Sequence, residues 1–317
     1  MSDPLSVLVL AGGLSAEREV SLRSGSHVTH ALRAAGVEAR QRDVDGTLLR
    51  DLAEDPPDVV LPLLHGVAGE DGTIREVLEL AGVPYVGAGP AACRAAFDKP
   101  TAKAVFAGAG LRTPDSVTLP QHAFHDLGAA DLAGRVVARL GLPVFVKPRA
   151  GGSALGVGLV ETAEQLPPAL VAALGHHPDV LIERCVEGVE VAVAVADSDG
   201  GPVALPPVEI EAQGLYDYTA RYTAGAVAFH TPARLPEAHA DGARRAAVRA
   251  HRALGLRHLS RTDAVVTAGG EVFVLETNPA PGMTATSSYP AALEAAGHDV
   301  GRFFAALAVD AARTRRR

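Results

Sequence analysis

The sequence predicts an α/β and α+β chain of three domains: an N-terminal parallel-sheet domain, a small central domain, and a C-terminal domain with a largely antiparallel sheet. Three observations support this. Strand-like and helix-like segments alternate over residues 1–89, the βαβ rhythm of a parallel sheet. Strand-like segments crowd residues 183–317, with one long helical pattern among them. Between these, residues 90–182 combine helical stretches, proline punctuation and a strand entering a glycine-rich turn. At 317 residues, 48% hydrophobic and 21% charged, the chain has ordinary globular composition and exceeds what one core can hold.

The apolar run Ser6 to Leu10 reads as a buried strand, Glu19 to Ala35 as a helix and Val59 to Leu64 as the next strand. A loop from His65 to Gly72 leads into a helical stretch, Ile74 to Ala81, and Val83 to Gly87 reads as one more short strand. A boundary is placed at Gly89-Pro90. One helix is then expected from about Ala91 to Gly108 and another over Asp131 to Leu140, before the strand Pro143 to Lys147. Further strands are expected at Val180 to Glu183, Glu190 to Ala196, Val203 to Ile210, Asp263 to Val266 and Glu271 to Glu276, with a helix from about Leu235 to Leu254.

Bulk properties exclude several classes. A net charge of -8 argues against nucleic acid as a partner, and the basic tail at 313–317 is too short to reverse it. The run Val7 to Leu10 is far too short to span a bilayer, and Asp3 places a negative charge where a signal peptide is positive, so no membrane partner and a cytoplasmic location are expected. Cys93 and Cys185 stand far apart without metal-ligand spacing and read as buried small hydrophobes or pocket walls.

Three segments carry chemistry. In Ala11 to Glu19 a strand feeds a glycine turn and a helix N-terminus, whose free N–H groups favour anions. The same residues also read as a nucleotide-binding turn or a plain tight turn, although Glu17 is an unusual helix cap and is suited to an ammonium group. Lys147 ends a strand and is followed by a glycine-rich loop, Gly151 to Gly158, a phosphate cradle or, alternatively, a flexible surface loop. Asp263 on one strand and Glu276 with Asn278 on the next form an all-oxygen set of the kind magnesium prefers. The alternative is a hairpin with solvated charges, disfavoured by the apolar neighbours Leu275, Val265 and Val266.

Taken together, these residues resemble the D-alanine–D-alanine ligases of the ATP-grasp fold over nearly the whole chain. The resemblance rests on Gly12 to Ser21, His65-Gly66 with Gly69-Glu70-Asp71-Gly72, Asp98-Lys99, Val146-Lys147-Pro148, Leu181-Ile182-Glu183, Tyr216-Asp217-Tyr218 with Tyr222, Arg261 with Asp263, Glu276-Thr277-Asn278, and Pro281 to Thr284. It implies a three-domain ATP-grasp enzyme that joins two D-alanines through an acyl phosphate for peptidoglycan synthesis, uses ATP with two Mg2+ (or Mn2+) ions, and forms a homodimer. Lys99, Lys147, Gly152, Ser153 and Arg221 are implied at the ATP phosphates, Glu183 and the Val186 backbone at adenine, and Glu190 at the ribose. Asp263, Glu276 and Asn278 are implied as metal ligands, Glu17 with His65 nearby at the first substrate's ammonium, and Ser287 with the Ser288 backbone at the second substrate's carboxylate. Arg261 and the N–H of Gly282 are implied to stabilise anionic intermediates, and Tyr222, Ser153 and Glu17 to latch a loop at roughly 210–225. Lys103, one helical turn beyond Lys99, is expected to matter little. The chain departs from the family pattern at Ala154, Arg221 and Cys185. Other readings are a ligase that takes D-lactate, D-serine or another amino acid second, and a non-catalytic ATP-binding homologue.

Overall fold

The computed structural model describes residues 5–212 and 227–314. Its first sheet is parallel, in the order β2-β1-β3. Strand β1 (Ser6–Leu10) is central and nearly continuously buried, as a strand covered on both faces must be. Helix α1 (Arg18–Ala34) leads to β2 (Glu38–Arg42), a polar edge strand with only Ala39 buried, and α2 (Leu48–Glu54) leads to β3 (Val59–Pro62). After α3 (Val67–Glu70) and α4 (Thr73–Leu80), the expected strand at 83–87 is reduced to a single bridge between Tyr85 and Val60. Pro84 accepts from the Val60 N–H at 2.8 Å but has no N–H to extend a ladder.

The single helix expected at 91–108 is two, α5 (Pro90–Phe97) and α6 (Lys99–Gly108). Asp98 breaks it by taking an extended conformation and accepting the Thr101 N–H at 3.0 Å as the N-cap of α6, with Pro100 in the first turn. A four-stranded antiparallel sheet follows, in the order β4-β7-β5-β6. The sheet and the helices around it are formed by β4 (Ser116–Pro120), α7 (Gln121–Leu127), α8 (Ala129–Leu140), β5 (Val144–Pro148), β6 (Gly158–Val160), α9 (Leu166–Leu174) and β7 (Asp179–Arg184). Its core, around Val144, Val146, Leu166 and Ile182, is drawn from this unit alone.

The third sheet runs β11-β10-β8-β12-β13, with β9 paired to β8. The strands are β8 (Val189–Ser198), β9 (Gly201–Ala204), β10 (Val208–Ala212), β11 (Val227–His230), β12 (Leu259–Val266) and β13 (Val272–Asn278). The strand expected at 203–210 is divided because Pro206 and Pro207 cannot donate to a ladder. Helix α10 (Glu237–Ala253) buries an alanine stripe, including Ala243 and Ala247, against Val191, Val193 and Val266. The last helices, α11 (Ser288–Ala295) and α12 (Val300–Thr314), return to the first sheet, where Phe304 and Leu307 pack with Val7, Val9, Val28 and Leu32. The boundary expected at 182 falls inside β7, and residues 288–314 share one core with both the N-terminal sheet and Ala194, Val208 and Leu259 of the third sheet. Among the described residues no helix is long and apolar enough to cross a membrane.

Candidate active site

At the carboxyl end of β1 the chain turns through Gly12 and Gly13, whose φ values of 110° and 75° favour glycine. Asp43 accepts the Gly13 N–H at 2.8 Å and an Arg18 N–H at 2.5 Å, while Ser21 Oγ accepts the Gly12 N–H at 2.7 Å. Glu17 is thereby set at the N-terminus of α1, buried, yet its carboxylate does not cap the helix. It accepts the Ser153 hydroxyl instead and lies between two glycines: a Cβ on Gly152 would come 2.9 Å from both Glu17 oxygens, and one on Gly66 would overlap Oε2. Ser153 and Ala154 hold left-handed φ values of 51° and 55°, so the loop bends to present Ser153 to the carboxylate at the N-terminus of α1.

His65, just beyond β3, is 3% exposed. Its Nδ1 lies 3.0 Å from the Ala280 carbonyl, which can only accept, so Nδ1 carries the proton and Nε2 accepts from Ser24 Oγ at 3.1 Å. Ser24 Oγ in turn accepts the Met283 N–H at 3.0 Å. Burial depresses the imidazole to about 4. Glu70, which the sequence reading placed only within a motif, lies in the same region: buried, accepting the Gly66 N–H at 3.1 Å, and pushed up to about 8 by burial and then by the negative charge of Glu17. Its signal in the sequence was an acid next to Asp71 in the glycine loop that begins at His65.

A cavity of about 550 Å³ opens here, lined by Glu17, His65, Glu70, Ser153, Arg261, Asn278, Gly282, Ser287 and Ser288. Ser287 stands at the N-terminus of α11, with its Oγ 2.8 Å from Thr284 Oγ1. A second cleft of about 220 Å³, lined by Lys147, Leu155, Glu183, Cys185, Val186, Glu190 and Leu275, lies between the second and third sheets. Lys99, Gly151, Gly152, Asp263 and Glu276 line both. Lys99 Nζ donates to the Gly151 carbonyl at 3.0 Å and lies 3.9 Å from Glu276.

Glu183 is 2% exposed and takes ammonium donors at both oxygens, Lys147 at Oε1 and Lys103 at Oε2, the latter at 2.9 Å. Burial opposes its charge, but the two lysines hold its pKa below the ordinary value. Lys103, expected to matter little, is 5% exposed, its Nζ also donating to Thr113 Oγ1 at 2.7 Å, because α6 turns this side chain inward onto β7.

The oxygen set sits on paired strands, with Asp263 opposite Glu276 and Arg261 opposite Asn278. A β-bulge beside Asp263 leaves Leu275 out of register, so Val274 and Thr277 point into the core while Glu276 and Asn278 face the cavity. Arg261 grips Asp263 with two bonds of 2.7 Å, and Asn278 Oδ1 accepts the Ala280 N–H at 2.7 Å. Among the described residues no group of three or more His, Cys, Asp or Glu is arranged to hold a metal. Two carboxylates and an amide oxygen on one cavity wall still fit a hard cation that takes its other ligands from phosphate oxygens and water. Tyr222, Arg221, Tyr216, Asp217 and Tyr218 lie outside the described residues.

Comparison with known proteins follows the same lines. Residues 105–308 match the model for the D-ala D-ala ligase C-terminus and residues 40–88 that for the D-ala D-ala ligase N-terminus. The chain is 43% identical over 285 residues to a D-alanine–D-alanine ligase of Anaeromyxobacter dehalogenans, covering 90% of this chain and 89% of the relative. It is 41% identical to one from Halalkalibacterium halodurans, covering 92% and 94%. Among solved structures it is similar to the D-alanyl-alanine synthetase A of Vibrio cholerae, with a TM-score of 0.85, 29% identity and coverage of 98% and 99%. The VanG D-Ala:D-Ser ligase of Enterococcus faecalis superposes with a TM-score of 0.83 at 29% identity, covering 96% and 98%. The Bacillus anthracis D-alanine–D-alanine ligase complexed with ATP gives 0.81 at 27% identity, covering 98% and 99%.

Proposed function

The chain belongs to the D-alanine–D-alanine ligase family, and from that premise we propose that it is an ATP-dependent, ADP-forming ligase that joins two D-alanines for peptidoglycan precursor synthesis. The observation that carries the reading is the meeting of two cavities at Lys99, Gly151, Gly152, Asp263 and Glu276. One is large enough for two amino acids and the other is a cleft for a nucleotide, so the γ-phosphoryl group and a substrate carboxylate meet at the shared wall.

Glu17 holds the ammonium of the first D-alanine, and its bond from Ser153 ties the phosphate loop to that subsite. The substrate carboxylate oxygen attacks the γ-phosphoryl group, giving ADP and an acyl phosphate. Lys99 and Lys147 offset the phosphate charge, and Glu183, the Val186 backbone and Glu190 bind the nucleoside. The second D-alanine lays its carboxylate at the N-terminus of α11, by Ser287 and Ser288, and its amine displaces phosphate. Arg261 and the Gly282 N–H face the tetrahedral intermediate's negative oxygen. Asp263, Glu276 and Asn278 would hold two magnesium ions, which supply charge neutralisation at the phosphoryl oxygens. The enzyme acts in the cytoplasm as a homodimer on small-molecule substrates.

ADP release and product formation with D-alanine, D-serine and D-lactate, singly and in pairs, test the proposal. D-alanine alone should support turnover to the dipeptide. ADP release independent of any amino acid would favour a binding homologue with idle ATPase activity, and a higher kcat/KM for a mixed pair would move the second subsite to the other substrate.

A further inference from the structure

Glu183 is a buried anion held by two cations, and the two face different ways. Lys147 lines the nucleotide cleft. Lys103 does not: it reaches Glu183 from behind, on the side of a separate surface pocket formed with Thr113, Asp115 and Phe273. Thr113 Oγ1 fixes the Lys103 ammonium at 2.7 Å, and Lys103 in turn fixes Glu183 Oε2 at 2.9 Å. β-Pairing of Ser116 with Glu183 keeps Thr113 and β7 in one frame.

When phosphates enter the cleft, Lys147 is the cation positioned to turn toward them. Glu183 then depends on Lys103 to remain charged while buried. We propose that Lys103 is a positioning residue for nucleotide selection: it holds Glu183 ionised, with its carboxylate aimed to accept from an exocyclic amine, and frees Lys147 for the phosphates. The proposal rests on the reading that Glu183 contacts adenine. An ionised acceptor there favours a purine bearing an amine at position 6 and disfavours one bearing a carbonyl, because two acceptors would face each other.

The test compares wild type with Lys103→Met, Lys103→Arg, Thr113→Val, Glu183→Gln and the Lys103→Met/Glu183→Gln pair, each assayed with ATP and with inosine triphosphate. Lys103→Met should raise KM for ATP at least tenfold while kcat changes less than threefold, and should cut the ATP-over-inosine triphosphate preference at least tenfold. Lys103→Arg should recover most of that preference. In the Glu183→Gln background, Lys103→Met should add no further loss of preference. An additive loss in the double variant, or a fall in kcat with KM and preference intact, would overturn the proposal. If Lys103→Met does not fold, Thr113→Val carries the same expectation in weaker form, and an unchanged preference there would also overturn it. If Glu183→Gln alone leaves the preference untouched, the adenine contact itself is wrong, an outcome distinct from a failure of Lys103.

Discussion

His65 joins three segments through its two ring nitrogens, and this arrangement sets the sign of its response to acid. Its folded pKa, about 4, lies below the ordinary 6.5, so between these values the unfolded chain binds a proton that the folded chain refuses. Stability from this group is present above pH 6.5 and is lost as the pH falls toward 4. Glu70 has the opposite sign: with a folded pKa of about 8 against an ordinary 4.5, it costs stability as the pH rises through that window. The two offset each other in wild type, so variants are needed to separate them. In urea titrations, His65→Gln should gain stability relative to wild type as the pH falls from 7 to 4.5, and Glu70→Gln should gain it relative to wild type as the pH rises from 6 to 8.5. Parallel pH curves for wild type and His65→Gln would mean that the ring is not held neutral. Glu276→Gln should abolish ADP formation with far-ultraviolet circular dichroism unchanged, since it removes one charge at the wall both cavities share; near-native turnover would remove it from the oxygen set. Glu17, Lys147 and Asp263 were legible because each stands beside a glycine turn or in an apolar strand where a solvated charge has no place. Lys103 was not, because nothing in α6 reveals that Glu183, 80 positions away, waits on its inward face.

Asp98 shows how one element boundary positions a reactive side chain. It caps α6 through the Thr101 N–H and accepts from Arg149 Nε at 2.6 Å, while the Lys99 N–H donates to the Arg149 carbonyl at 3.1 Å. The cap thus places Lys99 against the glycine-rich loop. Asp98→Ala should cost about 1 kcal/mol of stability, the usual worth of an N-cap, and raise KM for ATP more than it lowers kcat. A thermal midpoint and KM both equal to wild type would show that Pro100 alone breaks the helix. Composition alone announces the proline in that break but not the cap. The same limit applies to strands. Buried β1, β5, β8 and β12 are apolar enough to read directly, whereas β2 (EARQR) and β11 (VAFH) lie at sheet edges with mostly solvated side chains and have little period to detect. The bulge at Leu275 is likewise silent in the sequence, although it turns Glu276 and Asn278 to the cavity.

Across the whole molecule the cores do not follow chain order. One core is assembled from β1 and α1, from Ala194, Val208 and Leu259 of the third sheet, and from Tyr289 and Phe304 near the C-terminus. The central sheet keeps its own core, drawn from residues 124–182. A reading along the chain sees three successive units because patterns are local, whereas α12 joins the first unit only after the third has been built. This organisation predicts two cooperative blocks, one containing the first and third sheets and one containing the central sheet. Phe304 is fully buried in the shared core, with its ring edge against Phe303 at 5.3 Å. Phe304→Ala should therefore cost about 3 to 5 kcal/mol, the usual range for emptying an aromatic site. Because the lost contacts join distant segments, amide hydrogen exchange should accelerate together in β1, β3, α1 and β8. Strands β5 and β7, whose partners lie in the other core, should keep their protection. Peptide-resolved exchange by mass spectrometry distinguishes the cases. Equal acceleration in β5 and β7 would make the molecule a single cooperative unit, and acceleration confined to α12 would mean that the helix frays without loosening the sheet it covers. The predicted pattern would instead place Glu17 and the Asp263–Glu276 wall in one block and the Lys147 loop in the other, so that the wall shared by the two cavities is built where two independently stable blocks meet.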